Sequence, residues 1–362
     1  VLVDVVYNHF GPSDLDLWQF DGWSENGKGG IYFYNDHRAE TPWGETRPDY
    51  GRREVRQFIR DNALMWIESF HADGLRWDGT IFIRHKDFFL TDGNALPDGW
   101  TLMQDVNREI QEKHPGTLCI AEDLQRYDAV CAPIQDGGAG FGAQWDAAFV
   151  HPVRAALEQM HDADRSMQEV AQAIGHLYCG DPFNRGIYTD SHDEVANGRQ
   201  RLPESIHQGD ALSWESQKRS TLGAALVFTA PGIPMMFQGQ EMLEDEWFRD
   251  TDPLDWGRLD EVPGIHQLYR DLAYLRRNLT GTTRGLKGSN IDIFHVNDDA
   301  KIIAFRRWME GGENDDTIAV FNFTNVAYDA YRIGRRLLVG RRSRVGGGRL
   351  AARGLVLRRL RG

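Results

Sequence analysis

The stretch Arg53–Asp78 reads REVRQFIRDNALMWIESFHADGLRWD, and it predicts a helix that leads directly into a short strand. Its apolar residues from Val55 to Phe70 recur at helical spacing. The run Gly74–Asp78 that follows predicts the strand. An amphipathic helix next to a short apolar strand is typical of a parallel β/α unit.

The same alternation continues on both sides of this stretch. Five further apolar runs predict strands, at Val1–Val6, Leu118–Ala121, Ala143–Asp146, Gly186–Thr189 and Ile233–Phe237. The other amphipathic runs predict helices at Leu102–His114, Met167–Tyr178, Ser216–Thr229 and Ile265–Asn278. Strands that alternate with helices in this way predict the α/β class and a (β/α) barrel of the TIM type.

The spacing of the predicted strands changes after Thr283. Three strands follow at short intervals, at Ile291–Val296, Ile302–Trp308 and Thr317–Phe323, which predicts the start of an all-β sandwich domain. We therefore expect a barrel at 1–283 with a long aromatic-rich loop at 13–50, and a partial all-β domain at 284–331. The tail 332–362 contains eleven Arg and no Asp or Glu. It predicts a disordered or out-of-frame terminus, with an arginine-rich RNA-binding arm as the alternative.

Composition limits the classes of function that fit the chain. The net charge is −13 even with the basic tail included, so the rest of the chain is strongly acidic. An acidic body repels phosphate backbones, which predicts a neutral substrate and no nucleic-acid partner. No apolar run reaches the roughly 18 residues of a membrane-spanning helix, so we expect no membrane partner. The three unpatterned cysteines argue against a disulfide framework and a zinc site, and predict a reducing, cytoplasmic setting.

Polar residues follow the predicted strands at the ends where a parallel barrel places its chemistry. They are Asp4, Asn8 and His9, then Arg76 and Asp78, then Glu122 and Asp123, then His192, Asp193 and Glu194, and finally Gln240 and Glu241. Each alone could be a solvated acid or a buried histidine with satisfied hydrogen bonds. A purely structural barrel does not need such a group after nearly every strand, so together they predict an active site.

Two carboxyl groups on consecutive strands suit the cleavage of glycosidic bonds. That reaction passes through an oxocarbenium-like state, and it needs one carboxylate to attack and one carboxylic acid to protonate the leaving oxygen. Retention of configuration requires the two groups about 5 to 5.5 Å apart, which Asp78 and Glu122 at neighbouring strand ends could provide. Arg76 lies two residues before Asp78, on the same side of the strand, where it could keep that carboxylate ionised and oriented.

Five ordered motifs resemble those of the α-amylase family, glycoside hydrolase family thirteen. They are DVVYNH (Asp4–His9), GLRWD (Gly74–Asp78), AED (Ala121–Asp123), SHDE (Ser191–Glu194) and GIPMMFQGQE (Gly232–Glu241). The resemblance covers about Val1 to Phe323. It implies Asp78 as nucleophile, Glu122 as general acid/base and Asp193 as transition-state stabiliser. It also implies Arg76, His9 and His192 as ligands of the sugar at the cleaved bond, with Asp4 and Asn8 in the same substrate-binding set.

The loop at 13–50 is rich in aromatic residues. Sugar rings stack on aromatic faces, and long loops at the carboxyl face of a barrel bind substrate. Trp18, Trp23 and Trp43 are therefore predicted sugar platforms. The alternative is that these rings only pack the loop onto the barrel.

Within the family, the SHDEV run at Ser191–Val195 and the QGQE run with Trp247 most resemble 1,4-α-glucan branching enzymes. Maltooligosyl-trehalose hydrolases and α-amylases come next, and a catalytically inactive glucan-binding protein is a remote alternative. The expected partner is an α-1,4-glucan or a maltooligosaccharide, with no cofactor. Some members bind calcium near the position of Asn8, but no set of oxygen ligands here predicts a metal site.

The sequence departs from the family pattern in two places and at its start. Gly79 stands where many members have Ala, and Thr80–Phe82 lacks the Lys or His often found there, so the departures concern the acceptor subsite. Val1 opens directly into a strand, with no initiator Met and no signal peptide. We therefore expect the family's first two barrel strands to lie upstream of Val1, so that this chain contains barrel strands three to eight.

Overall fold

The computed structural model describes residues 1–11, 17–196, 199–311, 315–333 and 355–359. The chain forms two compact units. The first contains Val1–Trp145 and Tyr178–Gly180, and the second contains Asp146–Leu177 and the residues from Asp181 onward.

Four parallel strands form the centre of the first unit, in their order along the chain. They are β1 (Leu2–Val5), β2 (Gly74–Trp77), β3 (Leu118–Ala121) and β4 (Ala143–Trp145). The helices of this unit are α1 (Arg53–Glu68), α2 (Ile81–Arg84) and α3 (Pro97–Lys113). The register aligns Asp4 with Arg76 and Trp77 with Ala121. Residues that directly follow these strands therefore lie next to one another at one edge of the sheet.

Close packing in the first unit follows from small and apolar residues at fixed positions. Helix α1 buries Val55, Ile59, Ala63 and Ile67, which share one face of the helix. Gly74 begins β2 where a Cβ atom would lie 2.1 Å from the carbonyl oxygen of Leu118. Only glycine allows β2 to approach β3 this closely.

The second unit contains two further parallel strands, which pair with each other. These are β5 (Arg185–Ile187) and β6 (Ile233–Pro234). The helices are α4 (Ala147–Glu158), α5 (Met167–Gly175), α6 (His192–Val195), α7 (Leu202–Ile206), α8 (Trp214–Thr229), α9 (Arg258–Glu261) and α10 (Pro263–Arg276). Serine side chains cap two of the longer ones, because Ser166 accepts a hydrogen bond from the backbone N of Glu169 and Ser213 accepts one from Ser216.

An antiparallel sheet completes the second unit. Its strands are β7 (Asn290–Asn297), β8 (Ile302–Trp308), β9 (Thr317–Asn322) and β10 (Leu355–Arg359), in the order β10-β9-β8-β7. Phe305 and Phe321 stack with their ring centroids 5.7 Å apart. They belong to the same buried cluster as Val170 of α5 and Leu272 of α10, so one face of this sheet packs on helices of its own unit.

Part of the tail differs from the sequence prediction. We expected 332–362 to be disordered or out of frame, but Leu355–Arg359 forms β10 and pairs antiparallel with β9. The apolar run Leu355–Leu357 suits a strand, and β9 offers it an edge to pair with. Residues 334–354 and 360–362 lie outside the described residues, so the rest of this expectation stays a prediction.

All six parallel strands lie where the sequence predicted them, within one to three residues at each end. The predicted helices also form, whereas α4 was not predicted from the sequence because Pro152 interrupts its pattern. The proposed boundary between 283 and 284 lies between the last parallel strand and the first antiparallel one. The two compact units divide at Trp145 and Asp146 instead, so this boundary stays a prediction. Among the described residues, none of the helices combines the length and the apolar character needed to cross a bilayer.

Candidate active site

The register of β1, β2 and β3 brings the predicted catalytic residues of the first unit together. The sheet hydrogen bonding continues one residue beyond the strands, since the backbone N of Asp78 donates to Val5 O (2.9 Å) and that of Glu122 donates to Trp77 O (3.0 Å). Both backbones are therefore fixed where their side chains begin.

One guanidinium group joins three carboxylates at this edge. Nη1 of Arg76 lies 2.7 Å from Oδ1 of Asp4 and 2.7 Å from Oδ1 of Asp78, and Nη2 lies 2.7 Å from Oε2 of Glu122. Only 7% of the Arg76 side chain is exposed, against 18% for Asp78, 8% for Glu122 and 53% for Asp4. Burial lowers the pKa of Arg76, but the charges of Glu122, Asp4 and Asp78 more than offset this, so the pKa lies above its ordinary value. Arg76 is thus a permanent cation shared by both predicted catalytic acids.

Trp145, the last residue of β4, covers the face of that guanidinium. The Arg76 Cζ atom lies 4.3 Å from the centroid of the indole ring. A cation over an aromatic face is attracted by the ring quadrupole, and the flat contact restricts rotation of the guanidinium plane. Trp145 was not among the predicted site residues, because its place at the end of β4 gives no sign in the sequence that its ring would reach Arg76.

Asn8 holds both the backbone and the side chain of the predicted nucleophile. Its Nδ2 atom donates to the main-chain oxygen and to Oδ2 of Asp78, both at 2.8 Å. Asn8 is fully buried. With Arg76 on Oδ1 and Asn8 on Oδ2, both carboxylate oxygens of Asp78 have a hydrogen-bond donor.

Gly79 connects the two predicted catalytic acids through its backbone. Its N–H group donates to Oε2 of Glu122 at 2.9 Å. Its φ of +48° is a conformation that favours glycine, and a Cβ atom here would lie 2.7 Å from Nδ2 of Asn8. Glycine in place of the family's Ala therefore leaves the space that the Asn8 side chain occupies.

His9 and Trp43 form a stacked pair beside Asn8. Their ring centroids are 4.3 Å apart with an angle of 10° between the planes, and His9 Nδ1 contacts Oδ1 of Asn8. Burial lowers the pKa of His9, an effect that the charge of Asp78 opposes and that of Arg47 supports. Burial of the ring thus favours the neutral imidazole.

The fully buried Arg47 holds the Trp43 loop in place. Its guanidinium donates to the carbonyl oxygens of residues on two segments of chain. On its own segment the acceptors are Arg38 (2.7 Å) and Glu40 (2.6 Å). On the other segment they are Phe82 within α2, and His85 (3.2 Å) and Lys86 (2.8 Å) just after it. The sequence analysis missed Arg47, because an Arg in a polar loop gives no sign that it will be buried.

The other two predicted platforms have different neighbours. Trp18 lies beside Phe33 with centroids 5.7 Å apart, and the Arg52 guanidinium lies 5.1 Å from the ring of Trp23. Both indoles are a little over one third exposed. The structure thus unites Trp43 with the residues around Asp78, while the described ring contacts of Trp18 and Trp23 are within the loop and at the start of α1.

Asp123 of the AED motif is engaged in a buried ion pair. Its two carboxylate oxygens accept from Nε and Nη2 of Arg84 at 2.8 and 2.7 Å. Thr80 donates to the main-chain oxygen of Glu122 from its backbone N (2.8 Å) and from Oγ1 (3.0 Å). Asp123 and Thr80 therefore fix the backbone on both sides of the Glu122 side chain.

The second unit contains His192, Asp193 and Glu194 on the short helix α6, while Gln240 and Glu241 follow β6. Ser191 caps this helix, since its Oγ accepts from the backbone N of Glu194 at 3.2 Å, so the SHDE motif is a capping box in part. This cap places His192 and Asp193 in the first turn. His192 Nε2 lies 3.5 Å from Oδ2 of Asp193, and about half of the Asp193 side chain is exposed. Within the described part of the chain, no group of three or more His, Cys, Asp or Glu residues is arranged to hold a metal ion.

Comparisons with known proteins agree with this arrangement. No protein-family model matches the chain. The 1,4-α-glucan branching enzyme GlgB of Marinobacter nauticus is 29% identical over 350 residues, and that of Myxococcus xanthus is 31% identical over 360 residues. Each alignment covers 92% of this chain, but only 53% and 46% of the relative, so the chain spans about half the length of these relatives.

Solved structures show the same fold. The type III pullulan hydrolase of Thermococcus kodakarensis superposes with a TM-score of 0.70 at 21% identity, covering 99% of this chain and 59% of its own. A pullulanase of Anoxybacillus sp. LM18-11 in complex with maltotetraose gives a TM-score of 0.66 at 17% identity, covering all of this chain and 53% of its own. This chain is a relative of the α-amylase family. Its parallel strands and helices therefore belong to an α-amylase-type TIM barrel, as the sequence predicted.

Proposed function

We propose that this α-amylase-family protein is a retaining 1,4-α-glucan branching enzyme. It cleaves an α-1,4 bond of a glycogen-type glucan and transfers the released chain to a glucose 6-hydroxyl. The observation that supports this most strongly is the cluster in which Arg76 contacts Asp4, Asp78 and Glu122 at 2.7 Å each. Relatives of known name that align over nearly the whole chain are branching enzymes.

In this proposal Asp78 is the nucleophile. Arg76 and Asn8 donate to its two oxygens, which keeps the carboxylate ionised and fixes its orientation. Attack on the anomeric carbon forms a covalent glycosyl intermediate, which is the step that a retaining mechanism requires.

Glu122 is the general acid and then the general base. Glu122 and Asp78 both contact the Arg76 guanidinium, so their carboxyl groups lie near each other. This agrees with the separation of about 5 to 5.5 Å between the two carboxyl groups of retaining enzymes. Oε2 of Glu122 accepts from Gly79 N and contacts Arg76, so the transferable proton belongs on Oε1. The proton moves to the leaving oxygen in the first step and returns from the acceptor hydroxyl in the second.

Asp193 is the proposed transition-state stabiliser, with His192 as a second ligand of the same sugar. Their shared helix turn and the Ser191 cap support a common role. The neutral His9, stacked on Trp43, would donate to or accept from a sugar hydroxyl without adding charge. Asp4 completes the proposed substrate-binding set with Asn8, Arg76, Trp18, Trp23 and Trp43. We place this activity in the cytoplasm, where glycogen-type glucans are made.

Hydrolysis is the second candidate, because water can replace the glucan hydroxyl at the same intermediate. The segment Thr80–Phe82 favours it, since it lacks the Lys or His often found at the acceptor side and buries Ile81 and Phe82 instead. In an α-amylase-type hydrolase or a maltooligosyl-trehalose hydrolase, the residues named above would have the same roles. Only the acceptor that attacks the intermediate would differ.

The deciding experiment is incubation of the protein with amylose, followed by proton NMR of the product linkages. We expect new α-1,6 signals while the number of reducing ends stays low. Falling chain length with rising reducing ends and no α-1,6 signal would replace branching by hydrolysis. The Asp78→Ala variant is the inactive control. If the unsubstituted protein changes amylose no more than this control does, both the branching and the hydrolysis proposals are wrong.

A further inference from the structure

Two adjacent phenylalanines stand exposed on a loop that no assigned role explains. Phe88 is 57% exposed and Phe89 is 81% exposed, and Leu90 beside them is 41% exposed. They lie between α2 and α3 in the first unit. Contiguous exposed apolar side chains of this kind are unusual on a soluble protein and mark sites of interaction.

The loop that presents them is held by its own hydrogen bonds. His85 and Ala95 form an isolated antiparallel bridge at its base, and the backbone N of Lys86 donates to Asn94 O at 2.8 Å. Inside the loop, Asp87 accepts from the backbone N of Phe89 and from Nδ2 of Asn94. The two phenyl rings are therefore presented in a preset position, which lowers the entropy lost on binding.

A continuous row of rings connects this loop to the residues around Asp78. Phe88 meets the buried Phe82 edge to face, with centroids 4.7 Å apart. Phe82 meets Trp43 in the same way at 5.2 Å, and Trp43 stacks on His9 at 4.3 Å. We call His9, Trp43, Phe82 and Phe88 the aromatic row. Its exposed members are Trp43 and Phe88, with Phe89 next to its outer end.

Arg47 makes the row a single rigid element. It hydrogen-bonds carbonyl oxygens on the Trp43 loop and also those of His85 and Lys86 at the base of the Phe88 loop. The outer rings are thereby fixed relative to Trp43, His9 and Asn8.

We propose that Trp43, Phe88 and Phe89 form an outer subsite that binds glucose rings of an α-glucan chain beyond those at the reacting bond. This inference rests on the proposed function for the identity of the chain as an α-glucan. Apolar faces of glucose rings stack on exposed aromatic rings. The occupant is a neutral glucan because the row starts at His9, whose partner Asn8 holds Asp78, so a chain in the active site can continue along it. The acidic charge of the protein also favours a neutral ligand.

The test is the affinity for maltooligosaccharides of different length, measured by isothermal titration calorimetry on the full chain with Asp78→Asn to prevent turnover. The double variant Phe88→Ala/Phe89→Ala should bind maltoheptaose about tenfold more weakly, which corresponds to about 1.4 kcal/mol. Its affinity for maltotriose, too short to reach the outer rings, should change less than about twofold. The conservative pair Phe88→Tyr/Phe89→Tyr should restore maltoheptaose binding.

Phe70→Ala is the matched control, since Phe70 is 64% exposed and lies just after α1, before β2 begins. It should leave both affinities unchanged. Three results would overturn the inference: equal loss of maltotriose and maltoheptaose affinity, no loss of either, or no maltooligosaccharide binding by the Asp78→Asn chain. Loss of self-association on sedimentation, with unchanged glucan affinity, would assign the surface to a second copy of the chain instead. Failure of the proposed function shows separately, as an unchanged linkage pattern in amylose treated with the unsubstituted protein.

Discussion

Two groups of buried arginines, one in each unit of the molecule, have opposite uses. In the first unit, Arg76 faces three carboxylates, one of which, Asp4, is half exposed. In the second unit, three buried arginines, Arg185, Arg276 and Arg307, bind mainly main-chain carbonyl oxygens.

Four of the carbonyl acceptors of these arginines are consecutive in the chain, at 229–232, from the end of α8 into the turn before β6. Arg307 donates to Thr229 O at 2.7 Å, Arg276 to Ala230 O at 2.8 Å and to Gly232 O, and Arg185 to Pro231 O at 2.7 Å. Beside these three arginines, the carboxylate of Asp146 lies 3.0 Å from Nη1 of Arg185. Each donor comes from a different element, so the turn before β6 is tied to β5, α10 and β8.

Electrostatics separate the two groups. Carboxylates raise the pKa of Arg76 despite its burial, whereas burial lowers the pKa of Arg276 to about 10 and that of Arg307 well below its ordinary value. An arginine surrounded by acids can orient groups that react, while one surrounded by carbonyls satisfies backbone acceptors and fixes a turn. We therefore expect substitutions in the first group to change activity and those in the second to change stability.

The largest effect should follow from the acids on Arg76. Asp78→Ala removes the proposed nucleophile and should lower kcat on amylose by at least about 10⁴-fold. Glu122→Gln should slow natural glucan as severely, but spare an aryl maltooligoside whose leaving group needs no proton. Steady-state kinetics on both substrates measure this.

Retained folding, checked by far-ultraviolet circular dichroism, is the control for both variants. If Glu122→Gln loses natural and activated substrates equally, its assignment as general acid is wrong. If Asp78→Ala keeps activity, the carboxylates around Arg76 do not carry the reaction, and the functional role assigned to the first arginine group is wrong.

The second effect tests the comparison with one substitution made in each unit. Arg76→Lys keeps the positive charge, but the single nitrogen of lysine cannot replace the two guanidinium nitrogens that contact the three carboxylates. We therefore expect kcat/KM to fall about 100-fold, while the free energy of unfolding changes by about 1 kcal/mol. Arg307→Lys leaves carbonyl oxygens of Thr229, Leu286 or Gly288 unsatisfied in the core. It should lower the free energy of unfolding by about 3 kcal/mol with kcat/KM nearly unchanged.

Urea unfolding and steady-state kinetics on the same two preparations give both quantities. The reverse pattern, a stability loss at Arg76 with an activity loss at Arg307, would contradict the distinction.

The sequence predicted that Asp4, Asp78 and Glu122 would lie together, but not the contacts that hold them. The motif residues Asp4, Asp78 and Glu122 follow strands whose apolar runs are short and clearly bounded, so their common edge could be predicted. The contact of Trp145 with Arg76 could not, because it depends on a cation and a ring that lie far apart in the sequence. The roles of all the site residues, including Asp78, Glu122, Asp193 and the indole platforms, remain predictions.

Local pattern also failed where tertiary packing decides the structure. Helix α4 contains Pro152, which predicts an interruption, yet the helix continues through it with Phe149 and Val153 fully buried. Strand β6 was expected to reach Phe237 but ends at Pro234. Arg47 and Arg307 look like surface residues in the sequence, because only the fold shows which carbonyl oxygens need a donor.

A smaller effect should come from Gly79→Ala. The new Cβ would lie 2.7 Å from Nδ2 of Asn8 at a φ of +48°, so Asn8 must move away from Asp78. We expect a loss of about 1 to 2 kcal/mol in the free energy of unfolding and about a tenfold fall in kcat/KM. Gly27→Ala is the matched control, because Gly27 also has a positive φ, of +71°, with no atom within 4 Å of its Cβ position. Equal losses in kcat/KM for the two variants would show that Asn8 does not orient Asp78.

The smallest effect concerns the protonation of His9. Burial lowers its pKa below the ordinary 6.5, so the unfolded chain takes up this proton at a higher pH than the folded protein does. The stability that neutral His9 contributes is therefore present above pH 6.5 and is lost as the pH falls from there through the folded pKa. His9→Gln should make the free energy of unfolding fall less steeply across that window, as urea titrations at several pH values would show. Because the charge of Asp78 opposes the shift, Asp78→Ala should lower the pKa of His9 further, measured from its Cε1 proton by NMR. A His9 midpoint at or above 6.5 in the unsubstituted protein would mean that the charge of Asp78 outweighs the effect of burial on this pKa.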